Sequence, residues 1–435
     1  MISISMFKKY IQKKLEKYVQ QYFLKHPEVK LVVVAGSVGK TSAKTAIATV
    51  LAGRYRVRLH EGNHNTGVSA PLAILGIDYP GNIKSIGAWL SVFRAAKKRI
   101  NDPADVDVIV QELGIDRVGD MALFGAYLRP DIAVVTAVTP EHMEFFSNIE
   151  TVAREELSVA NFSKLAVINR DDIEGRFADF LTNPAIDTYG TTAAAEYRFE
   201  IQEFTLAGGY VGSLFAPEFQ TPVPATIHLA GEHSLRPAMA AATVAIKLGM
   251  LPADVATGLG NVRAVPGRMS ILRGTNDSTI IDDSYNSSPA AAHAAFQTLY
   301  GIEAPQRIAI LGSMNELGAT SADEHAKLGA LCDPNLLSWV ITIGEEAEKH
   351  LAPAARARGC QVKSFRSALE AGGFAHSVLE EKAIVLVKGS QGGIYAEEAI
   401  KVILHETHED HQLVRQSPEW LETKRAYFTQ LSEAS

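Results

Sequence analysis

The sequence lacks the features that mark several classes of protein. Its two cysteines, Cys332 and Cys360, are too few for a disulfide framework or for a zinc site made of four thiolates. It contains no apolar run near the roughly 18 residues that a membrane-spanning helix requires. Charged residues begin at Lys8, which is too early for the apolar stretch of a signal peptide. We therefore expect a cytoplasmic protein.

An excess of positive charge is also missing. The formal net charge is -7, whereas proteins that bind nucleic acid present a strongly basic surface. Hydrophobic residues make up 47% of the 435 residues and charged residues 21%, which is enough apolar material for two or three domains. The composition argues against nucleic acid as a partner and favours small molecules.

The N-terminal segment has the pattern of an amphipathic helix with a basic back. Its apolar residues recur at helical spacing between residues 7 and 24, and five lysines fall on other faces: Lys8, Lys9, Lys13, Lys14 and Lys17. Two interpretations are open. The helix packs against its own domain, or it makes a peripheral contact with an anionic membrane surface.

The rest of the chain predicts an α/β fold. Short β-branched runs (LVVVA, VDVIVQE, IAVVTAV, LAVINRDD) alternate with alanine-rich helical segments, which is typical of a parallel sheet. Residues 197–229 instead show the alternating pattern of appended antiparallel strands. After a Pro-Gly turn in residues 261–268, four further runs predict a smaller Rossmann-like domain. The predicted domains are 1–30 (basic helix), 31–265 (P-loop domain) and 266–435.

A glycine-rich loop follows the first predicted strand and opens a helix. It consists of Gly36, Ser37, Val38, Gly39, Lys40, Thr41 and Ser42. Backbone N–H groups of such a loop converge on a phosphate, the lysine neutralises the outer phosphates and the threonine hydroxyl reaches magnesium. The longer P-loop signature has a glycine where this chain has Val34. The strand and helix on either side favour a phosphate site over an incidental turn.

Two candidate metal ligands end neighbouring strands. Glu112 ends VDVIVQE, and His142 follows IAVVTAVTPEH. Because the carboxyl ends of parallel strands share one edge of a sheet, both residues are expected beside the phosphate loop. Taken singly, each has an ordinary alternative as a solvated polar residue; together they favour metal ligation.

A series of motifs resembles the Mur ligases, and among them the branch that adds D-alanyl-D-alanine. In chain order the motifs are GSVGKTSAKT, EGNHNTG, ELGIDRVGDM, RPDIAVVTAVTPEHMEFF, LAGEHSL, VPGRMSI, IIDDSYNSSP, LGSMNELG and LVKGS. The resemblance implies an ATP- and magnesium-dependent ligase of cell-wall precursor synthesis. In that reaction a carboxylate of a peptide-bearing precursor becomes an acyl phosphate, which the amine of an amino acid or dipeptide attacks.

The resemblance also implies roles for individual residues. It assigns magnesium binding to Thr41, Glu112 and His142, and nucleotide binding to the loop, His233, Arg268 and Asp283. Contact with the amine donor or the reacting carboxylate is assigned to Asn286, Lys388 and Ser390. The acceptor cleft is assigned to Asn63 and Asn65. Catalytic roles fall to Lys40, His142, Glu156, Arg268 and Lys388.

Glu156 enters that set through a departure from the family. The family has a lysine that takes up carbon dioxide and then holds the second magnesium, and this lysine is absent here. Counting from His142 without gaps places Glu156 at its position, whereas a shift of two residues places Arg154 there. We favour Glu156, because a glutamate offers a permanent anion whereas an arginine repels a metal. Such a ligase needs no carbon dioxide at this site. The alternative is that Glu155 and Glu156 form a solvated helix face.

Two further departures concern the substrates. Pro237 stands where the family has an asparagine that reads adenine, and proline has no side-chain donor or acceptor. The family also begins with a domain that grips a uridine nucleotide, whereas about 30 residues precede the first strand here. We expect the acceptor to be held by a partner chain, to be recognised through its peptide, or not to be UDP-linked. The rival functions are another amide ligase or amidating enzyme on a lipid-linked or non-UDP substrate, and a nucleotide-binding scaffold without turnover.

Overall fold

The computed structural model describes residues 4–60, 62, 64–140 and 145–433. It divides the chain into two compact units. Unit 1 comprises Met1–His228 and Leu235–Arg263, and unit 2 comprises Leu229–Ser234 and Ala264–Ser435. The basic N-terminal helix belongs to unit 1, and a short segment before residue 235 joins unit 2.

Unit 1 is built on one large sheet. Its strands are β1 (Lys30–Ala35), β2 (Val57–Leu59), β3 (Val108–Glu112), β4 (Ile132–Val135), β5 (Leu165–Asn169), β6 (Ile186–Gly190), β7 (Tyr197–Thr205), β8 (Gly209–Phe215) and β9 (Val223–Ile227). Among the described residues they form a nine-stranded sheet in the order β2-β3-β1-β4-β5-β6-β7-β8-β9. The strands from β2 to β7 pair in parallel, whereas β7, β8 and β9 pair antiparallel. The predicted parallel sheet with appended antiparallel strands is confirmed.

The helices of unit 1 cover this sheet. They are α1 (Ile4–Lys25), α2 (Lys40–Leu51), α3 (Ser69–Leu75), α4 (Ile86–Asn101), α5 (Asp120–Gly125), α6 (Ile149–Asn161), α7 (Leu235–Lys247) and α8 (Pro252–Gly260), with a 3-10 turn at Gly175–Phe180. Strand β1 shows why the central strands form, since five of its six residues are buried. A valine run of this kind suits a strand covered on both faces.

The parallel register of three strands positions the phosphate loop. Val34 in β1 lies opposite Glu112 in β3, and Ala35 lies opposite Val135 in β4. The residues that follow β1 therefore emerge at the sheet edge where β3 and β4 also end. This is the edge where parallel α/β proteins bind their ligands.

Helix α1 packs against unit 1 through one face. Ile11, Leu15, Val19 and Tyr22 are buried in the core, and the Tyr18 ring meets Phe93 of α4 edge to face at 6.0 Å. Packing of this helix on its own domain is confirmed. Among the described helices, none combines the length and the hydrophobicity that a membrane-spanning segment needs.

Unit 2 has a second, smaller sheet. Its strands are β10 (Ser270–Arg273), β11 (Thr279–Asp283), β12 (Arg307–Gly312), β13 (Trp339–Ile343), β14 (Val362–Phe365) and β15 (Ile384–Lys388). The described residues give the order β10-β11-β15-β12-β13-β14. The edge strand β10 is antiparallel to β11, and the other pairs are parallel. The four predicted runs are β11, β12, β13 and β15, as a Rossmann-like arrangement requires.

Helices lie between the strands of unit 2 and follow the last of them. They are α9 (Pro289–Gly301), α10 (Ser321–Ala330), α11 (Ala352–Ala357), α12 (Ala368–Val378), α13 (Glu397–Ile403) and α14 (Pro418–Glu433), with 3-10 turns at Glu232–Ser234, Gly318–Thr320 and Thr407–Gln412 and a π turn at Ala347–Leu351. The short edge strand β14 was not predicted. It has only four residues, a length at which periodicity is a weak signal.

Candidate functional site

Two glycines give the loop after β1 its shape. Gly36 has a φ of 123°, and a Cβ atom there would lie 2.3 Å from Oγ1 of Thr136. Gly39 has a φ of 84° and stands directly before α2. Side-chain-bearing residues rarely adopt either conformation. The loop consequently lies close against the backbone at the end of β4, which fixes its position at the sheet edge.

The start of α2 faces this loop. No side chain caps the helix at Gly39, so its first N–H groups are available to an anion. The Lys40 side chain folds back over the loop, and its Nζ donates to the Gly36 carbonyl at 2.5 Å and the Ser37 carbonyl at 3.4 Å. A cluster of N–H groups with an ammonium beside it has the chemistry of a phosphate site.

Glu112 contacts the beginning of the same helix. The residue is 3% exposed, and its Oε2 accepts a hydrogen bond from Oγ1 of Thr41 at 3.2 Å. Its other oxygen, Oε1, accepts from Nδ2 of Asn65 at 3.2 Å. The structure therefore brings together three of the residues singled out in the sequence.

Lys44 is a member of this cluster that the sequence did not indicate. Its side chain is buried, its Nζ lies 3.2 Å from Oε2 of Glu112, and it donates to the Gly62 carbonyl at 2.8 Å. Lys44 follows Lys40 by four residues, so the two lie on one face of α2. That spacing is the signal that would have found it.

Glu156 lies beneath the phosphate loop. It is fully buried, and its Oε2 accepts a hydrogen bond from the Gly36 N–H at 2.8 Å. Its Oε1 is buried and accepts no hydrogen bond from the described residues. Burial raises the pKa of this carboxyl to about 7, opposed by Lys40 and the Gly36 N–H and assisted by Glu155 and Glu112.

The alternatives to Glu156 are not supported by the geometry. A solvated face is wrong, because Glu155 is also buried and its Oε1 accepts hydrogen bonds from the N–H groups of Gly119 and Met121 near the start of α5. Arg154 lies on the exposed side of α6, where its guanidinium stacks on the Phe180 ring at 4.2 Å. Of the two positions considered, only Glu156 contacts the phosphate loop.

The oxygen donors at the loop fit a magnesium ion. Thr41, Glu112 and Glu156 offer a hydroxyl and two carboxylates, and magnesium in nucleotide sites is held by one or two carboxylates together with phosphate oxygens and water. The orphan Oε1 of Glu156 is the kind of buried acceptor that a cation satisfies. Within the described residues, no three histidine, cysteine or acidic side chains group as a metal site on their own. His142 and Asn63 lie outside the described residues.

Pro237 stands in the first turn of α7, where the missing N–H of proline breaks no helical hydrogen bond. The fold tolerates this proline without distortion. The neighbouring Arg236 has its Nη1 3.1 Å from Oδ1 of Asp172, a contact that the sequence did not indicate.

In unit 2, Lys388 and Asp283 form a buried pair. Lys388 is 2% exposed, and its Nζ donates to Oδ2 of Asp283 at 2.5 Å and to the Asn286 carbonyl at 3.1 Å. The parallel register explains the pairing, since the two residues lie opposite each other at the ends of β11 and β15. Three predicted residues are thus gathered at one end of the sheet.

Ser390 joins two of the predicted motifs. Its Oγ accepts a hydrogen bond from the Asn315 N–H at 2.8 Å and donates to the Ser287 carbonyl at 3.4 Å. The loop that contains Asn315 is held a second time by His325, whose Nε2 accepts from the Met314 N–H at 2.8 Å. Burial lowers the pKa of His325, which favours the neutral imidazole that this acceptor role needs.

Arg268 and His233, the remaining predicted residues of unit 2, are half-buried. The Arg268 guanidinium stacks on the Tyr285 ring at 4.3 Å. His233 lies in the short turn Glu232–Ser234.

No pattern in the sequence indicated a role for Arg415. It donates to the carbonyl groups of Ser284 and Tyr285 at 2.8 and 3.0 Å, and through two nitrogens to the fully buried Glu397. It therefore holds the backbone of the segment that carries Asn286.

Comparison with known proteins agrees with this architecture. Residues 34–245 match the Mur ligase middle domain, and residues 267–391 match the Mur ligase glutamate ligase domain. UDP-N-acetylmuramoyl-tripeptide--D-alanyl-D-alanine ligase of Bacillus subtilis is 27% identical over 335 residues, which are 74% of this chain and 64% of that protein. The chain thus spans less than two thirds of the length of this relative.

Solved structures show the same fold. The crystal structure of MurF from Acinetobacter baumannii has a TM-score of 0.72 and 21% identity, covering 89% of this chain and 79% of that one. MurF ligase from Thermotoga maritima, solved in complex with ADP, has a TM-score of 0.71 and 20% identity, covering 90% and 83%. Since both domain models match in order and together span most of the sequence, the chain belongs to the Mur ligase family.

Proposed function

We propose that the chain is an ATP-dependent amide ligase. The γ-phosphoryl group of ATP passes to an oxygen of a substrate carboxylate, giving ADP and an acyl phosphate. An amine then attacks the acyl carbon, the new C–N bond forms, and inorganic phosphate leaves with the C–O electron pair while the amine loses a proton. The observation that carries this proposal is the phosphate loop with Lys40 above it and two buried carboxylates beside it, inside a Mur ligase middle domain.

The residues of unit 1 would bind and orient the phosphates. The loop N–H groups and Lys40 hold the β- and γ-phosphate oxygens, because phosphoryl transfer depends mainly on positioning and on stabilising charge. Thr41 and Glu112 would hold the magnesium, a role that the family resemblance also assigns to His142. Magnesium supplies neutralisation of the charge that develops on the transferred group. Glu156 keeps Gly36 in place through its hydrogen bond, and its other oxygen would be available to a cation.

The residues of unit 2 would act on the amine side and on the nucleotide. Lys388 donates to Asp283 and to the Asn286 carbonyl, which fixes its ammonium within unit 2, and the resemblance assigns this ammonium to the amine substrate or the reacting carboxylate. The resemblance assigns Arg268 to the γ-phosphate, His233 and Asp283 to the nucleotide, and Ser390 to the amine substrate. Because Asp283 already binds Lys388, a ribose contact by Asp283 would share that carboxylate.

The substrates follow from the relatives by analogy. The Bacillus subtilis relative is named for ligating D-alanyl-D-alanine to a UDP-N-acetylmuramoyl-tripeptide. We propose D-alanyl-D-alanine as the amine donor here and a peptide-bearing cell-wall precursor as the acceptor. Asn65 donates a hydrogen bond to Glu112, which supports its assignment to the acceptor cleft, because the reacting carboxylate has to lie beside the phosphates.

A donor-by-acceptor screen tests the proposal. The chain is incubated with ATP and magnesium, with each of several amino acids and dipeptides, and with UDP-linked, lipid-linked or nucleotide-free peptide acceptors. Products are read by mass spectrometry, and phosphate release is measured in parallel. A ligase releases phosphate only when both an acceptor and an amine are present, and the product gains the mass of the donor less water.

Each rival function has a distinct outcome in the same screen. Nucleotide binding without turnover in any combination would identify a scaffold and reject the ligase. Turnover with a different amine, or with a lipid-linked acceptor alone, would keep the chemistry and replace the proposed substrates. Turnover that appears only after addition of a second protein would identify a partner chain that holds the acceptor.

A further inference from the structure

Helices α1 and α4 form a basic face on a chain whose net charge is negative. Residues 4–25 contain six lysines and one acidic residue, and residues 79–101 contain five basic residues and no acidic one. The single acid, Glu16, is 6% exposed and pairs with Lys13 at 3.2 Å. Arg99 pairs with Asp105 outside these segments, and the remaining positive charge exceeds the acids within them.

The two helices run side by side in the same direction. Near their middle, Nζ of Lys14 lies 4.2 Å from the centre of the Phe93 ring. Near their ends, Nζ of Lys25 donates to Oδ1 of Asn101 at 2.8 Å. Residues one helical turn from these contacts share the same side of each helix, so Tyr10 and Lys17 lie on the side of α1 that carries Lys14, and Leu90 and Lys97 lie on the side of α4 that carries Phe93.

Large apolar side chains are exposed among these basic residues. Met6 is 63% exposed, Tyr10 57%, Ile86 65% and Leu90 47%. All four belong to the first halves of α1 and α4, on the N-terminal side of the contact between Lys14 and Phe93. Lys9, Lys17, Arg94 and Lys97 are exposed beside them. We call these eight residues the two-helix face.

We propose that the two-helix face docks on an anionic lipid surface. Lipid headgroups supply the negative charge that the lysines and Arg94 attract, and the acyl boundary accepts the apolar side chains that project between them. A nucleic-acid backbone offers charge but no partner for Ile86, Leu90 or Met6. A second copy of the chain would bring two basic faces together, which costs Coulomb energy.

The proposal is independent of the ligase function, because it concerns a surface that contains none of the proposed site residues. It also reconciles the two sequence interpretations of the N-terminal helix. One side of α1 packs in the core of unit 1, as its buried residues show. The opposite side retains the lysines and exposed apolar residues of an interfacial helix.

Vesicle co-sedimentation tests the proposal on the full chain. Vesicles of phosphatidylcholine with phosphatidylglycerol are compared with vesicles of phosphatidylcholine alone, at low and at high salt. We expect binding to the anionic vesicles only, weakened by salt. The triple variant Lys9→Glu, Lys17→Glu, Lys97→Glu should bind at least roughly 100-fold more weakly, since each basic residue near such a surface contributes about fivefold and each added glutamate is also repelled.

A matched control carries the same charge change elsewhere. Arg356, Arg358 and Lys363 are exposed in unit 2, and their replacement by glutamate should leave vesicle binding within about threefold of the original chain. The pair Ile86→Ser, Leu90→Ser should weaken binding about tenfold at high salt, where the apolar contribution dominates. Circular dichroism checks that each variant keeps its fold.

Four outcomes would overturn the proposal. They are equal binding to neutral and anionic vesicles, no binding to anionic vesicles at low salt, equal loss in the unit 2 control, and a labelled RNA that binds through the same lysines while vesicles do not. Light scattering tests whether a second copy of the chain occupies the two-helix face instead. A dimer that disappears in the Ile86→Ser, Leu90→Ser variant, without any vesicle binding by the original chain, would assign the face to a second copy.

Discussion

The two units bury charged side chains in opposite ways. In unit 1, Glu112 and Glu156 are buried beside the phosphate loop, and Oε1 of Glu156 accepts no hydrogen bond within the described part of the chain. In unit 2, Glu397 is also fully buried, but Arg415 binds both of its oxygens and Lys424 lies 3.4 Å away. In the first cluster, one carboxylate oxygen of a buried acid has no hydrogen-bond donor among the described residues. In the second, the buried acid is paired with two basic side chains.

This difference indicates that the first cluster binds a ligand and that the second stabilises the fold. A buried carboxylate without a full set of partners is costly, and a cation that arrives with its ligand lowers that cost. A matched network gains nothing from an added ion and loses much when one partner is removed. Substitutions in the first cluster should therefore change nucleotide and metal binding, whereas substitutions in the second should change folding.

The largest effect on activity is expected at Lys40. Lys40→Ala removes the ammonium over the loop, and loss of one such group from a phosphoryl-transfer site costs about 100- to 1,000-fold in rate. ATP-dependent ligation with the substrates found in the screen measures the effect. Lys164→Ala, which changes a lysine that is 71% exposed in the same unit, should keep full activity. Retention of activity in Lys40→Ala would remove this lysine from the reaction.

The matched network of unit 2 should respond in its folding. Arg415→Met leaves Glu397 buried with Lys424 as its remaining partner, and breaking a buried ion pair typically costs about 3–5 kcal/mol. Hydrogen exchange in peptides from α13 and α14 should report a loss of that size. Arg425→Met changes an exposed arginine of α14 and should leave exchange unaltered. Equal exchange in the two variants would show that the network does not stabilise unit 2.

The sequence predicted the parts of each site that lie on regular elements. The phosphate loop and Glu112 follow from strand ends, and strand ends are visible as apolar runs. The pairing of Lys388 with Asp283, 105 residues apart, depends on the register of β15 against β11, which no local pattern reveals. Arg415 has a φ of 58° in an irregular segment, so neither periodicity nor propensity points to it.

Glu156 is an intermediate case. Val152, Ala153, Leu157 and Ala160 of α6 are buried, and at helical spacing Glu156 shares their face whereas Arg154 does not. The sequence therefore held the signal that selects Glu156 over Arg154. That Oε1 lacks a partner could not be predicted, because it depends on which loops surround the helix in three dimensions.

The next prediction concerns pH and Asp282 of unit 2. Burial raises the pKa of Asp282 to about 6, opposed by hydrogen bonds from Ser284 and assisted by Asp283 and Glu397. Because this folded-state pKa exceeds the ordinary value of 3.8, the group contributes stability that is fully present below pH 4 and is lost as the pH rises through about 6.

Asp282→Asn tests this contribution. The variant should lose the pH dependence that Asp282 gives to stability. Between pH 4 and 7, its free energy of unfolding relative to that of the original chain should therefore rise by roughly 3 kcal/mol. Hydrogen exchange in peptides from β10 and β11 measures the difference. A constant offset between the two proteins across this range would mean that Asp282 ionises normally.

The smallest effect, and the sharpest test of the comparison, is expected at Glu156. Glu156→Gln keeps an acceptor for the Gly36 N–H and removes the ionisable carboxyl group. If Glu156 faces the cation, magnesium should be needed at about 10- to 100-fold higher concentration to support nucleotide binding, a range typical of lost supporting ligands. Calorimetric titration of nucleotide at several magnesium concentrations measures this without turnover. In metal-free buffer the variant should melt at the same temperature or higher, since an amide is cheaper to bury than a carboxylate.

The substitution Glu156→Lys distinguishes a metal role from a purely structural one. A lysine here can act as an anion only after taking up carbon dioxide, as the family resemblance implies. Its magnesium dependence should therefore approach that of the original chain only when bicarbonate is added, whereas the original chain should be indifferent to bicarbonate. Two results would show that Glu156 only holds the phosphate loop in place. One is normal binding of magnesium and nucleotide by Glu156→Gln, and the other is a magnesium dependence of Glu156→Lys that bicarbonate does not change, with both variants folded. The contrast between the two units would then be one of packing rather than of binding.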